Sequence, residues 1–139
     1  MPRLEYLADT SVFARLSKPS VAAAFAPMAV EGRVGLCPPV VFELGCSARN
    51  HEDYVALTDR LRAFAAVPVT DADHRRALEV QEALSAGGQL RALSLVDALL
   101  AAVAEARQLT IVHYDADFER VAAVTGQPHE WIVARGSVD

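Results

Sequence analysis

The stretch Leu95-Val96-Asp97-Ala98-Leu99-Leu100-Ala101-Ala102-Val103-Ala104-Glu105-Ala106-Arg107, followed closely by Thr110-Ile111-Val112-His113, decides the fold. Its first part is dominated by Leu, Val and Ala, opens at Ser94, and reads as a largely buried helix. Its second part is a short, continuously apolar run, the pattern of a strand covered on both faces. The same alternation recurs on either side. Tyr6-Leu7-Ala8 reads as a strand ending at Asp9, with Thr10–Leu16 and Val21–Val30 helical around a break at Lys18-Pro19-Ser20. Val34-Gly35-Leu36-Cys37 is a second strand, and Pro38-Pro39 opens a helix running to about Arg49. Glu52 to about Phe64 forms an amphipathic helix with Tyr54, Val55, Leu57, Leu61 and Phe64 on one face. Ala66-Val67-Pro68-Val69 is a third strand, assigned to a sheet edge by its proline. Asp71 to Leu84 is helical, with acids at its N-terminus and a stop at Gly87-Gly88. On the C-terminal side, Asp115 to Val124 is a helix closed by Gly126, and Trp131-Ile132-Val133 is a fifth strand.

Short apolar strands separated by helices imply parallel crossovers with helices on both faces of one sheet, a three-layer α/β sandwich. The 139 residues, 53% hydrophobic and 22% charged, are read as a single domain over 1–139. Thirteen Lys plus Arg against 18 Asp plus Glu give a net charge of −5, which excludes a protein that coats nucleic acid through bulk positive charge. Twelve of the thirteen basic residues are Arg, Lys18 being the exception, so phosphate contacts would come mainly from planar, bidentate guanidinium forks. Cys37 and Cys46 are too few for a disulfide framework or a thiolate metal site and are expected as buried thiols. Met1-Pro2-Arg3-Leu4-Glu5 carries no secretory pattern, and apolar runs such as Ala98–Ala104 fall far short of the ~18 residues of a membrane span. A soluble, cytoplasmic protein is expected.

In open parallel sheets ligands collect outside the carboxyl ends of the strands, where strand order reverses. Asp9 ends the first strand and Asp115 follows the fourth; if those strands are neighbours, the two carboxylates converge. Glu43 and Asp97 stand out differently, because each lies inside an apolar helical pattern. Glu43 has Val40 and Cys46 three residues to either side, and Asp97 has Leu93, Leu100 and Ala101 at helical spacing, so both are expected on inward faces. A carboxylate removed from water without compensation costs several kcal/mol, about enough to force it to protonate, pair or bind a metal. The nearest basic residues, Arg49 and Arg91, are not at the spacing that pairs on one helix. A shared divalent cation resolves both anomalies, and oxygen-only ligands suit Mg²⁺ or Mn²⁺. The reaction class that follows is metal-dependent phosphodiester hydrolysis. Asp117, Thr10 and Ser11 stand beside the principal acids and are candidates to complete or support the site.

Plainer readings exist for most of these acids singly. Asp9 can cap the helix that follows it, Ser94 and Asp97 have capping-box spacing, and Asp115 and Asp117 begin a helix where acids are commonplace. Glu43 has the weakest such explanation. His113 reads as a satisfied histidine at a strand end, and Trp131 as packing. Taken together, four acids at one crevice favour a site.

The segments Leu7-Ala8-Asp9-Thr10-Ser11-Val12, Phe42-Glu43-Leu44, Val96-Asp97-Ala98-Leu99-Leu100-Ala101 and His113-Tyr114-Asp115-Ala116-Asp117-Phe118-Glu119-Arg120, in that order, resemble a PIN domain. The closer resemblance is to the VapC-type toxins of bacterial toxin–antitoxin pairs, and it spans essentially the whole chain. It implies a parallel five-stranded sheet in the order 3-2-1-4-5 and a Mg²⁺- or Mn²⁺-dependent endoribonuclease. It implies that Asp9, Glu43, Asp97 and Asp115 form the acidic quartet, that Asp117 is an additional acid of the site, and that Thr10 and Ser11 supply the supporting hydroxyl. It further implies a homodimer, inhibition by a small VapB-like antitoxin, and an RNA substrate that is a tRNA or a ribosomal RNA loop. Arg15, Arg49 and Arg91 are candidates for RNA contact by their sequence proximity to the acids. Two rival functions are a catalytically silent module that binds RNA or protein, and a receiver-like phosphoacceptor. The latter needs adjacent acids after the first strand and a Lys after the last, and this sequence has neither.

Overall fold

The computed structural model describes residues 3–90 and 93–139. In chain order the elements are β1 (Tyr6–Ala8), α1 (Thr10–Phe13), α2 (Pro19–Val30), β2 (Val34–Leu36), α3 (Pro38–Gly45) and α4 (His51–Leu61). They continue with β3 (Ala65–Ala66), α5 (Asp71–Ala86), α6 (Leu95–Arg107), β4 (Thr110–His113), α7 (Asp117–Thr125) and β5 (His129–Trp131). The five strands form one sheet in the order β3-β2-β1-β4-β5, every neighbouring pair parallel. The expected α/β architecture and strand order are those observed.

The central strands are nearly continuously apolar because they are covered on both faces. Leu7, Ala8, Ile111 and Val112 are fully buried, and the β-branched Ile111 and Val112 suit the pleated, enclosed surface. Helix α6 packs as its sequence predicts: residues 97–104 are all buried. It ends at Gln108, whose left-handed φ of 57° stops the helix and turns the chain into β4. Helix α7 ends the same way at Gly126, φ 73°, where glycine removes the steric penalty. An aromatic cluster of Phe13, Phe25 and Phe64, with ring centroids 5.5 to 5.9 Å apart, ties α1 and α2 to the chain entering β3.

Several boundaries differ from the sequence reading. Pro19 and Ser20 are the first residues of α2 rather than a break before it, because proline's fixed φ fits the first turn. Helix α3 stops at Gly45 instead of Arg49, and β5 occupies His129–Trp131 rather than Trp131–Val133. The third strand is shorter than expected, Ala65–Ala66, although it does lie at the edge. On α4, Tyr54 and Val55 are exposed, so its apolar face is only partly covered. Cys37 is buried, its thiol pushed up to about 12 by desolvation, whereas Cys46 is exposed at the end of α3, contrary to expectation. Among the described residues no helix is long and apolar enough to cross a membrane.

Candidate metal centre

Strand order reverses between β1 and β4, and the two strands run in register with Leu7 beside Ile111 and Ala8 beside Val112. The Asp9 N–H donates to the Val112 carbonyl at 3.0 Å, extending the ladder one residue past the strand. Asp9 is thereby fixed against the carboxyl end of β4, where the chain leads on to Asp115. The first turn of α6 brings Asp97. One carboxylate oxygen each from Asp9, Asp97 and Asp115 lies within 4.8 Å of the others.

Each acid is held by local structure. Asp9 caps α1, its Oδ2 accepting from the Ser11 N–H at 3.0 Å and the Ser11 hydroxyl at 2.5 Å. That hydroxyl in turn accepts from the Tyr114 N–H at 2.8 Å, joining Asp9 to the turn after β4. Asp97 is placed by the α6 cap, where its N–H donates to Ser94 Oγ at 3.1 Å. Asp115 Oδ1 accepts from the Asp117 N–H at 2.9 Å. Asp9 is therefore the cap read from sequence, whereas of the Ser94–Asp97 capping box only the Ser94 half forms, and the same turns aim the carboxylates at one another.

Among the described residues no cationic side chain forms an ion pair with any member of this trio, and the electrostatics register the crowding. Asp97 is pushed up to about 7, first by burial and then by the charges of Asp9 and Asp115. Asp9 is also raised, again chiefly by burial, with the Ser11 hydrogen bonds opposing and the Asp115 charge adding to the effect. Like charges brought this close in a desolvated crevice each disfavour the other's ionisation. Hard oxygen donors converging in this way fit Mg²⁺ or Mn²⁺, and an all-carboxylate trio without His or Cys argues against softer metals.

Glu43 and Asp117 lie outside the trio. Glu43 is exposed, not on a buried face, and its Oε1 accepts from the Thr10 hydroxyl at 2.6 Å. Helix α3 turns that side away from the core, while Thr10, next to Asp9, tethers the carboxylate beside the site. The Asp117 carboxylate pairs with Arg120, and burial and the Asp115 charge raise it despite that pairing. Arg15 adjoins the centre: its Nη1 donates to the Ser11 carbonyl at 3.2 Å and its guanidinium lies 4.6 Å from the centroid of the Tyr114 ring. Arg49 instead pairs with Asp53 on α4, and Arg91 lies outside the described residues. Trp131 is half-buried, with Nε1 donating to Glu119 at 3.0 Å, so its edge is engaged in packing.

One feature of the site was only half legible in sequence. His113 is a fully buried, hydrogen-bonded histidine, as expected, but its Nδ1 lies 3.0 Å from the Asp115 N–H and its Nε2 2.8 Å from His129 Nδ1. Burial, and then His129, pull its pKa down to about 3, so it is neutral. Nothing in the local pattern announces this, because His129 comes from a different strand.

Comparison with known proteins matches the PIN domain family over residues 6–124. The chain belongs to that family. Within it, the chain is of the VapC type: it is 46% identical over 136 residues to Ribonuclease VapC51 of Mycobacterium tuberculosis, covering 98% of both chains. Two solved structures share the PIN fold at low identity. DNA-bound VapBC from Salmonella typhimurium superposes with a TM-score of 0.76 at 15% identity, over 94% of this chain and 99% of that one. A toxin–antitoxin complex from Klebsiella pneumoniae gives 0.72 at 17%, over 93% and 98%.

Proposed function

We propose that this PIN domain is a Mg²⁺- or Mn²⁺-dependent endoribonuclease toxin, with Asp9, Glu43, Asp97 and Asp115 as its acidic quartet. The observation that carries the reading is the convergence of three carboxylates, from just past the ends of β1 and β4 and from the first turn of α6, with no paired cation among the described residues. Asp9, Asp97 and Asp115 would hold the ion, with Glu43 reaching the same shell from α3 while anchored by Thr10. Asp117 supports the loop of Asp115 through its backbone and is available to an outer water once Arg120 releases it. When bound, such an ion polarises a phosphodiester and makes water a stronger acid. The chain's own part is to hold the quartet rigidly, keep one carboxylate free to take a proton from the attacking water, and present Arg15 at the rim for a phosphate.

That this relative is a ribonuclease supports RNA as the substrate class; a tRNA or a ribosomal RNA loop is the finer choice that the family resemblance implies. The likeness to a toxin–antitoxin complex supports control by a VapB-like antitoxin. Exposed Phe42 and the partly open face of α4 support further association, including a homodimer, and a cytoplasmic location goes with the proposed RNA substrate. The decisive experiment incubates purified protein with total RNA in Mg²⁺ or Mn²⁺ and maps the new ends. Discrete cuts are expected from wild type and none from Asp9→Asn or in excess chelator; full cleavage by either rejects the mechanism.

A further inference from the structure

The turn that carries Asp115 is built almost entirely on side-chain acceptors. Past the last strand pairing, where the Ile132 N–H donates to the His113 carbonyl at 2.8 Å, the backbone N–H groups of β4 have no further strand to meet. The Tyr114 N–H goes to Ser11 Oγ at 2.8 Å, and the Asp115 N–H goes to His113 Nδ1 at 3.0 Å. The Asp117 N–H then closes onto Asp115 Oδ1 at 2.9 Å. Ser11 and His113 therefore hold opposite ends of one two-residue step.

Donor and acceptor roles at His113 are fixed by its partners. A backbone N–H can only donate, so Nδ1 is unprotonated and the ring proton sits on Nε2. That proton is donated to His129 Nδ1 at 2.8 Å, which must itself be unprotonated. The ring is clamped by Phe118, centroids 4.8 Å apart, and Trp131, 5.0 Å apart. A side chain needed only for packing at this fully buried position could be wholly apolar; burying an imidazole is favourable only because both nitrogens are used.

We propose that His113 is a positioning residue for the metal centre, a neutral imidazole that fixes the backbone of Asp115 through Nδ1, with His129 holding its tautomer. This rests on the reading of Asp115 as a metal ligand. Partners behind a ligand orient it, and their loss costs about ten- to a hundredfold in metal affinity or activity. Here the partner acts through the main chain rather than the carboxylate, leaving the carboxylate oxygens to the ion and to Asp117.

The test uses the full chain and Mn²⁺ alone as probe, by titration calorimetry. His113→Phe keeps a ring but removes the acceptor, and is expected to weaken Mn²⁺ binding about ten- to a hundredfold. His113→Asn places an oxygen where Nδ1 stood and is expected to recover most of that loss. Ring-nitrogen NMR of the wild type is expected to show His113 protonated on Nε2 alone. Phe binding Mn²⁺ as tightly as wild type, Asn weakened as much as Phe, or a proton on Nδ1 overturns the proposal. If the Phe variant fails to fold, Asn decides against wild type: retained affinity supports the role, and lost affinity overturns it. A wild-type chain that binds no Mn²⁺ at all sinks the metal reading and this proposal with it, an outcome the wild-type titration separates from failure of positioning alone.

Discussion

At Asp97 the proposed activity and the stability of the fold are expected to pull in opposite directions. The carboxylate is buried in the first turn of α6 and faces Asp9 and Asp115, so in the metal-free protein its ionised form is disfavoured and its pKa reaches about 7. Asp97→Asn removes the charge while keeping the shape and the Ser94 cap made to the backbone N–H of residue 97. This substitution is expected to abolish RNA cleavage yet raise the Tm of the metal-free chain, a trade-off typical of strained sites. Thermal melts in chelator, read beside cleavage assays, check it; a lower Tm would mean the carboxylate is better satisfied than the geometry indicates. Asp97 was legible in sequence because an acid at helical spacing among Leu and Ala has few innocent explanations. Glu43 was legible as a candidate for the wrong reason. Its neighbours Val40 and Leu44 do face the core, but the helix is short and Glu43 falls on the side turned to solvent, held by Thr10. Thr10→Val should therefore lower cleavage about ten- to a hundredfold through a loosened Glu43, while leaving the fold intact. Equal activity in the two proteins would remove Glu43's tether from the mechanism.

The helices and strands that carry these acids were readable from periodicity, whereas their ends were set by contacts no local window contains. Helix α5 illustrates the second point. Thr70 and Asp73 form a capping box, but Asp73 is also buried and accepts from Arg107 at the far end of α6, at 3.2 and 3.3 Å. Burial alone would raise Asp73; the Thr70 and Arg107 hydrogen bonds outweigh it and hold its pKa below the ordinary carboxylate value. A depressed folded-state pKa means that the unfolded chain binds more protons on acidification. The stability Asp73 contributes is thus present above about pH 4 and lost as pH falls below it. Urea melts across that range should show a drop in stability that Asp73→Asn flattens, and Asp73→Ala should cost about 1–3 kcal/mol at neutral pH. Strand β2 offers a packing test. A Cβ on Gly35 would sit 2.5 Å from Val67 Cγ2 and 3.3 Å from Leu4 Cδ1, and Val67 is itself buried against the sheet edge. Gly35→Ala is expected to destabilise by about 1–3 kcal/mol through overpacking, measured as a lower urea midpoint with unchanged m.

Across the whole molecule, the one fact that sequence periodicity could not supply is which strands are neighbours. Alternating apolar runs imply a parallel sheet but leave its order open, and only the ordered PIN-like motifs pointed to β1 beside β4. Once that adjacency exists, residues more than a hundred positions apart in the chain become one anionic cluster, and folding must hold them together against their mutual repulsion. The fold therefore carries an electrostatic cost, and under the proposed metal reading a divalent ion would relieve it, so that ion binding is expected to appear as global stability. For a ligand bound only by the native state, the gain is about 2.7 kcal/mol at a hundredfold excess over Kd, several degrees in Tm for a domain of this size. Mn²⁺ or Mg²⁺ is expected to raise the Tm of the wild type in a concentration-dependent manner. Asp9→Asn should abolish most of that shift, because it removes a ligand fixed by the β1–β4 ladder itself. Monovalent salt at matched ionic strength should give only the weaker, non-saturating rise of general screening. If monovalent and divalent salts stabilise wild type and Asp9→Asn alike, the cluster is an ordinary acidic crevice whose charges are merely screened, and the stability of this fold owes nothing to a bound ion.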